Sequence, residues 1–405
     1  MKPPVYLDHH ATTPVDPRVL EAMLPYFKEE YGNAASATHV YGWRAEAAVE
    51  LAREQIAESI GARDPREIVF TSGATESDNL ALKGIAWARG DGHIVISAVE
   101  HPAVADSAAA LVRRGFSATV VSVDENGRVA TDELAAALRE DTRLVSMLWA
   151  NGEVGTLQDV GALAATCRER NIPFHSDAAQ AVGKVPVDVV AEGVDLLSFS
   201  AHKVYGPKGV GALYVRRGRP RLELEPLLHG GGHEGGRRSG SLPVALIVGF
   251  ARALTIAAEE RAAEAVRLAV LRERFRGVLE ARVPGVQLNG HPEARLPGNL
   301  HVSIEGVPAD ALVATVAEVA LSTGSACSSA SSEPSPVLRA MGLSEVRVRE
   351  GLRIGFGRFN TAAEIDLAAE AVARGALQIR AAGAGAASPP SPGVAKLPHS
   401  PSSGR

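Results

Sequence analysis

Lys203 stands in the stretch SAHKVYGPKGVG, residues 200 to 211, between two apolar runs, VDLLSFS and GVGALYV, that read as interior strands. A lysine at a strand end, rather than on a solvated helix face, is placed to react. An unperturbed lysine amine has a pKa of about 10.4 and is neutral about once in 2,500 molecules at pH 7, so nucleophilic use requires burial or nearby cations. His202 and Lys208 are the local candidates for those cations. Taken alone, the segment reads equally as a surface lysine after a strand. Four further stretches end apolar runs in the same way. TSGATES, residues 71 to 77, enters a helix near Thr75, where small residues expose backbone N–H groups as an anion cradle; an ordinary Ser/Thr cap with Glu76 in the first turn is the plain alternative. EHPAV presents His101, a cap or a packing residue unless it meets a ligand. NGEVG presents Asn151, and HSDAAQ presents Asp177 and Gln180.

Asp177 is the most demanding of these. A carboxylate closing a buried strand is expensive unless something cationic meets it. A metal is one choice, with His175 nearby, but neighbouring residues on a strand point to opposite faces and no third ligand is evident. A protonated ring nitrogen of a bound cofactor is the better partner. Together the loops supply an anion cradle, a residue to stack on a ring, a buried carboxylate and an amine, which are the parts pyridoxal phosphate requires.

The chain has two cysteines, Cys167 and Cys327, and neither belongs to a CxxC or zinc-type cluster. Cys167 lies inside the helical pattern GALAATCRERN and reads as a small buried hydrophobe. Cys327 lies in LSTGSACSSASSEPSP, whose Ser, Ala and Gly favour an exposed loop. An unperturbed thiol is only about 3% thiolate at pH 7, so use of Cys327 as a nucleophile requires activation. Arg353, in GLRIGFGRF, offers a forked donor suited to a carboxylate, or else a surface charge on an edge strand.

The elements that position these residues follow from periodicity. Between about residues 68 and 215, EIVFT, HIVISAV, SATVVSV, RLVSMLW, IPFHS, DLLSFS and GVGALYV are mostly separated by amphipathic stretches. Apolar runs spaced by helices predict a mainly parallel α/β sheet covered on both faces, and in such sheets ligands collect at the carboxyl ends of the strands. A long helical pattern from about Val244 to Ala281 leads into a smaller α/β unit, and residues 381–405, rich in Ala, Gly, Pro and Ser, are expected to be disordered. The composition is 46% hydrophobic and 22% charged with a formal net charge of -5, which gives no electrostatic reason for nucleic acid or an anionic membrane surface. No secretory signal is visible at MKPPVYLDHHATTP, and the most apolar segment, from Leu242, is interrupted by Pro243 and Arg252. A cytoplasmic location is expected.

YLDHHATTPVDP, YGNAASATHVYG, FTSGATESDN, EHPAV, NGEVG, HSDAAQ, SAHKVYGPKGVG, GGGHEGGRRSGSLP, STGSACSSASSEPSPVLRAMG and GLRIGFGRFNT occur in an order that resembles the cysteine desulfurases of the class V aminotransferase family, over nearly all of residues 5 to 380. That resemblance implies a pyridoxal-phosphate-dependent transferase of fold type I. The expected domains are an N-terminal segment 1–15 belonging to the small domain, a large cofactor-binding domain 16–262, and a small domain 263–380 carrying the cysteine loop 321–336. It implies that Ala74, Thr75, Ser200 and His202 hold the phosphate, with Ser241 reaching the phosphate of the partner subunit of a homodimer. His101 would stack on the ring, Gln180 would contact its hydroxyl oxygen, Asp177 would meet its nitrogen, and Lys203 would bind it covalently. Asn33, Asn151 and Arg353 are the implied contacts for L-cysteine, and Asn151 also lies against the cofactor. Cys327 would take the substrate sulfur as a persulfide, release L-alanine, and pass sulfur to an acceptor protein serving iron–sulfur clusters, thio-cofactors or tRNA thiolation. No metal site is implied beyond Cys327 as a transient iron–sulfur ligand. The extended loop is similar to the branch with a long cysteine loop, whereas the tail after Ala381 departs from the segment with which some relatives dock an iron–sulfur scaffold. A selenocysteine lyase or another lyase or aminotransferase of this fold is the alternative enzyme, and a non-catalytic docking subunit the alternative of another class.

Overall fold

A computed structural model of the chain describes residues 3–218, 221–323 and 334–386; Cys327 and residues 387–405 lie outside the described residues. The N-terminal part contains β1 (Val5–Tyr6), α1 (Pro17–Met23), α2 (Pro25–Lys28) and α3 (Val40–Ser59). Strands and helices then alternate: β2 (Ile68–Thr71), α4 (Ala74–Arg89), β3 (His93–Ser97), α5 (Pro102–Val112), β4 (Ser117–Val121), α6 (Thr131–Ala137), β5 (Thr142–Ser146), α7 (Val160–Arg168) and β6 (Phe174–Asp177). They are followed by β7 (Leu196–Ser200), β8 (Gly211–Val215) and the long α8 (Val244–Arg282). The last part comprises β9 (Val286–Leu288), β10 (Asn299–Ile304), α9 (Ala309–Thr315), β11 (Val319–Ala320), α10 (Pro336–Ala340), α11 (Glu345–Arg349), β12 (Gly351–Gly355) and α12 (Ala362–Ala386).

All seven apolar runs predicted as strands enter one seven-stranded sheet, in the order β2-β8-β7-β6-β5-β3-β4. Strands β2, β3, β7 and β8 are buried on both faces, whereas the edge strand β4 alternates between partly buried and exposed positions, which is why SATVV is the least apolar of the set. Every pairing is parallel except those of β8, antiparallel to both β2 and β7. The connection from β7 to β8 explains the exception: residues 201–210 are too few for a parallel crossover, so the chain must turn back, and this tight return carries Lys203.

The smaller unit is an antiparallel sheet, β12-β10-β9, beside a parallel pair of β1 with β11. The N-terminus is therefore woven into the C-terminal part, with Val5 opposite Val319 and Leu7 inside that core. Helix α8 is shared: Val244 to Ala257 packs into the core of the large sheet, and Leu268 to Leu279 into the core of the small one. Order does not end at residue 380, as composition suggested. Helix α12 continues to Ala386, because the alanines of AAGAGA propagate a helix already nucleated and packed upstream. Among the described residues no helix is long and apolar enough to cross a membrane.

Candidate active site

Directly after β7, residues Ala201–Lys203 form a single 3₁₀ turn, and Lys203 Nζ donates to His10 O at 2.7 Å and Ala11 O at 2.8 Å. The N-terminal segment braces this turn. Thr13 N and Thr13 Oγ1 both donate to His202 O, Tyr205 N donates to Thr13 Oγ1 at 2.8 Å, and Asp16 N donates to Tyr205 O. Tyr205 is held at φ 65°, a left-handed conformation disfavoured for a bulky residue, so the contacts on either side of it must over-determine the loop.

The charges around Lys203 differ from the expectation. Burial first, then the charges of Lys203 and Lys208, push the His202 imidazole down to about 4, so it is neutral at pH 7 and its Nδ1 lies 3.1 Å from Thr12 Oγ1. Lys208 is exposed. The cation that does stand in the buried site is Lys184, which the sequence reading missed. Its Nζ donates to Gln180 Oε1 at 2.8 Å, and burial followed by the charge of Lys203 pushes its amine down to about 7. The only signal was its position four residues after Gln180 in QAVGK.

Asp177 ends β6, next to β7, and is buried, with Oδ1 accepting from Ala179 N at 2.9 Å. Among the described residues it has no ion-pair partner within 4.0 Å; burial raises its pKa, while the fields of His101 and Lys203 lower it. Two more buried carboxyls stand behind it, neither singled out from sequence. Asp78 of α4 is fully buried, its Oδ1 3.6 Å from His175 Nε2; burial and then the charge of Asp177 raise its pKa. Glu100 Oε1 accepts from Ser97 Oγ at 2.6 Å and Leu148 N at 2.9 Å, and burial pushes this carboxyl up to about 8. His175 is clamped between Ser146 Oγ at 2.8 Å and Ser198 Oγ at 2.9 Å, and burial pushes it down to about 3. It is neutral and structural, and among the described residues no group of three or more His, Cys, Asp and Glu could hold a metal.

A raised acid pKa has a sign that can be measured. The folded protein binds the Glu100 proton more tightly than the unfolded chain does, so this group favours folding most below about 4.5 and loses that contribution as pH rises towards about 8. The melting temperature of Glu100→Gln is therefore expected to decline less than that of the wild type between those pH values, as followed by circular dichroism across a pH series.

The anion cradle sits at the start of α4, with Ala74 and Thr75 in its first turn and Gly73 as the cap. A Cβ on Gly73 would meet nothing within 4 Å, so the first turn faces open space, and Gly211 lacks a side chain where one would lie 2.7 Å from Gly73 Cα. The capping alternative is met only in its acidic residue: the cap is Gly73, with no Ser or Thr side chain bonded to the helix end, while Glu76 in the first turn accepts from Ser72 N through Oε2 at 2.8 Å and pairs through Oε1 with Arg238 Nε at 2.9 Å. Ser200 is buried at the end of β7. His101 caps α5, its Nδ1 accepting from Ala103 N at 3.1 Å, while the residue stays exposed and close enough to Asp177 to act on its charge.

Gln180 is anchored through Nε2 to His10 O at 2.9 Å. Asn151 locks its own turn: Oδ1 accepts from Glu153 N and Val154 N, and Nδ2 donates to Val99 O at 3.1 Å. Arg353 lies on an edge strand, as the plain alternative had it, yet is only 5% exposed, donating to Gly152 O, Asp8 Oδ1 and Ser322 Oγ. Asn33 stands apart in an exposed loop, its Oδ1 accepting from Ala35 N, and Ser241 is exposed before α8. Cys167 is buried in α7, its thiol pushed up to about 12 by burial. The open cradle, the buried Asp177 without an ion-pair partner and the amine of Lys203 fit a phosphorylated aromatic base of the pyridoxal kind.

Over residues 5–367 the chain matches the family described as aminotransferase class-V. The cysteine desulfurase IscS of Anaeromyxobacter dehalogenans (strain 2CP-C) is 55% identical over 371 residues, 91% of each chain. A solved structure described as a NifS-like protein has a TM-score of 0.85 at 38% identity and covers 92% of this chain and 98% of its own. The structure of SspA in complex with cysteine has a TM-score of 0.78 at 36% identity, covering 88% of this chain and all, 100%, of its own. The chain belongs to the class-V aminotransferases, in their cysteine desulfurase group.

Proposed function

We propose that this protein is a cysteine desulfurase that binds pyridoxal phosphate through Lys203, converts L-cysteine to L-alanine and collects the sulfur on Cys327 as a persulfide. The observation that carries the reading is the placement of Lys203 and Asp177 at the carboxyl ends of the adjacent strands β7 and β6, an amine and a buried carboxylate on one edge of one sheet. Pyridoxal phosphate bound there supplies an electrophilic carbon for amines and a sink for the electron pair left when a substrate carbon loses its proton. The α4 N-terminus with Ala74 and Thr75, together with Ser200 and His202, holds the phosphate; Asp177 keeps a proton on the ring nitrogen; Gln180 and Asn151 lie along the ring; His101 covers it. Lys203, once released, carries the α-proton. Arg353 takes the substrate carboxylate, with Asn151 as a polar neighbour. The Cys327 thiolate forms an S–S bond to the substrate sulfur as the carbon–sulfur bond breaks, its electron pair passing to the three-carbon skeleton that leaves as L-alanine.

Exposed apolar side chains on α1–α3 and the loop between them, Leu20, Leu24, Phe27, Tyr31, Tyr41 and Trp43, support a homodimer in which Ser241 reaches the partner's phosphate. A cytoplasmic site and a protein acceptor for iron–sulfur or thiolation chemistry complete the reading. Exposure of the purified protein to L-cysteine is expected to yield L-alanine and a Cys327 peptide heavier by one sulfur atom. Alanine formed with Cys327 unmodified would instead support a lyase of the same fold.

A further inference from the structure

Arg353 already holds a carboxylate. Its Nη2 donates to Asp8 Oδ1 at 2.9 Å and to Ser322 Oγ at 2.8 Å, while Nη1 donates to Gly152 O at 3.1 Å. Ser322 Oγ in turn donates to Asp8 Oδ1 at 2.9 Å, closing a triangle of three side chains. Backbone bridges hold its corners, Asp8 to Gly355 and Ser322 to Arg353, so the three segments meet by construction rather than through side-chain flexibility. Both hydrogens of Nη2 are engaged, and a carboxylate approaching that end of the fork meets a resident group of its own charge.

We propose that Asp8 is a specificity-determining residue that competes with the substrate carboxylate for Arg353, so that only a ligand with further points of attachment displaces it. This rests on the assignment of the substrate carboxylate to Arg353. Like charges at hydrogen-bond range in a site this buried repel strongly, and a ligand that engages Nη2 must release either the Asp8 or the Ser322 contact. Asp8 thereby sets a threshold: a simple carboxylate gains one ion pair by breaking another, whereas an amino acid that also reacts at its amine offsets the loss.

The test is calorimetric titration of the full-length, cofactor-loaded protein with propionate, a three-carbon carboxylate lacking an amine and therefore unable to react with the cofactor. Asp8→Asn keeps the shape and an acceptor oxygen and removes the charge; propionate is expected to bind about five- to tenfold more tightly, and KM for L-cysteine to fall without a rise in kcat. Ser322→Ala, which keeps the charge, is expected to change propionate affinity by no more than about twofold. Asp8→Ser carries the same test should Asp8→Asn fail to fold. Unchanged or weaker propionate binding in the Asp8 variants, with binding abolished in Arg353→Lys, would overturn the competition and leave Arg353 as the carboxylate site. Wild-type binding in Arg353→Lys would overturn the assignment of the carboxylate and the competition with it.

Discussion

Replacing Lys203 with alanine is expected to lower alanine formation by roughly 10⁴-fold and to leave cofactor that washes out on denaturation, because one residue supplies both the covalent anchor and the proton carrier. The effect should be this large because no neighbouring amine is placed to take over. Lys184 is the nearest in function, half-buried and pushed down to about 7, but its Nζ is spent on Gln180 Oε1 and it lies on a different loop from the turn that ends β7. Loss of the side chain also takes a donor from Ala11 O, whereas His10 O keeps Gln180 Nε2, a destabilisation of about 1–3 kcal/mol that is small enough for the fold to survive. Borohydride reduction followed by peptide mapping checks the anchor directly. Cofactor recovered covalently on Lys184 in the variant, with alanine formed at the normal rate, would remove the central role of Lys203.

The sheet was legible because parallel strands buried on both faces must be written as uninterrupted apolar runs, and chemistry gathers where those runs stop. Thr75, His101, Asn151, Asp177 and Lys203 were all found by that rule. The direction of β8 was not read, although the brevity of residues 201–210 fixes it. Charge was less legible than position. His202 looked like a cation beside Lys203 because its neighbours are basic, but its state is set by burial, which is a property of the folded chain. Asp78, Glu100 and Lys184 escaped notice for the same reason: each stands in a stretch that reads as an ordinary helix or turn and becomes unusual only when distant segments close over it. The Asp8–Arg353 pair spans 345 positions of sequence, and no local pattern announces a contact of that range. The helical turns from Ala381 to Ala386 were not read because low-complexity alanine and glycine look alike to composition whether or not a helix has already been started upstream.

Cys327→Ser is expected to abolish the persulfide and to reduce alanine formation by about 10²-fold or more, while cofactor binding and the Lys203 linkage stay intact. A hydroxyl has nearly the shape of a thiol but no affinity for sulfur, so the carbon–sulfur bond loses its acceptor without any other part of the site changing. Rescue by the other thiol is ruled out physically. Cys167 is buried in the packed face of α7 and pushed up to about 12, so only about one molecule in 10⁵ carries the thiolate at pH 7, and that sulfur has no path to a substrate. Cys167→Ala should accordingly leave persulfide formation untouched and register only as a small loss of melting temperature from the cavity it creates. The pair of variants separates the readings that share Lys203 and Asp177. In a lyase or aminotransferase of this fold the serine variant would turn over like the wild type, because there the sulfur leaves without ever bonding to the protein; in a desulfurase, alanine and persulfide are lost together, since the same S–S bond formation drives both.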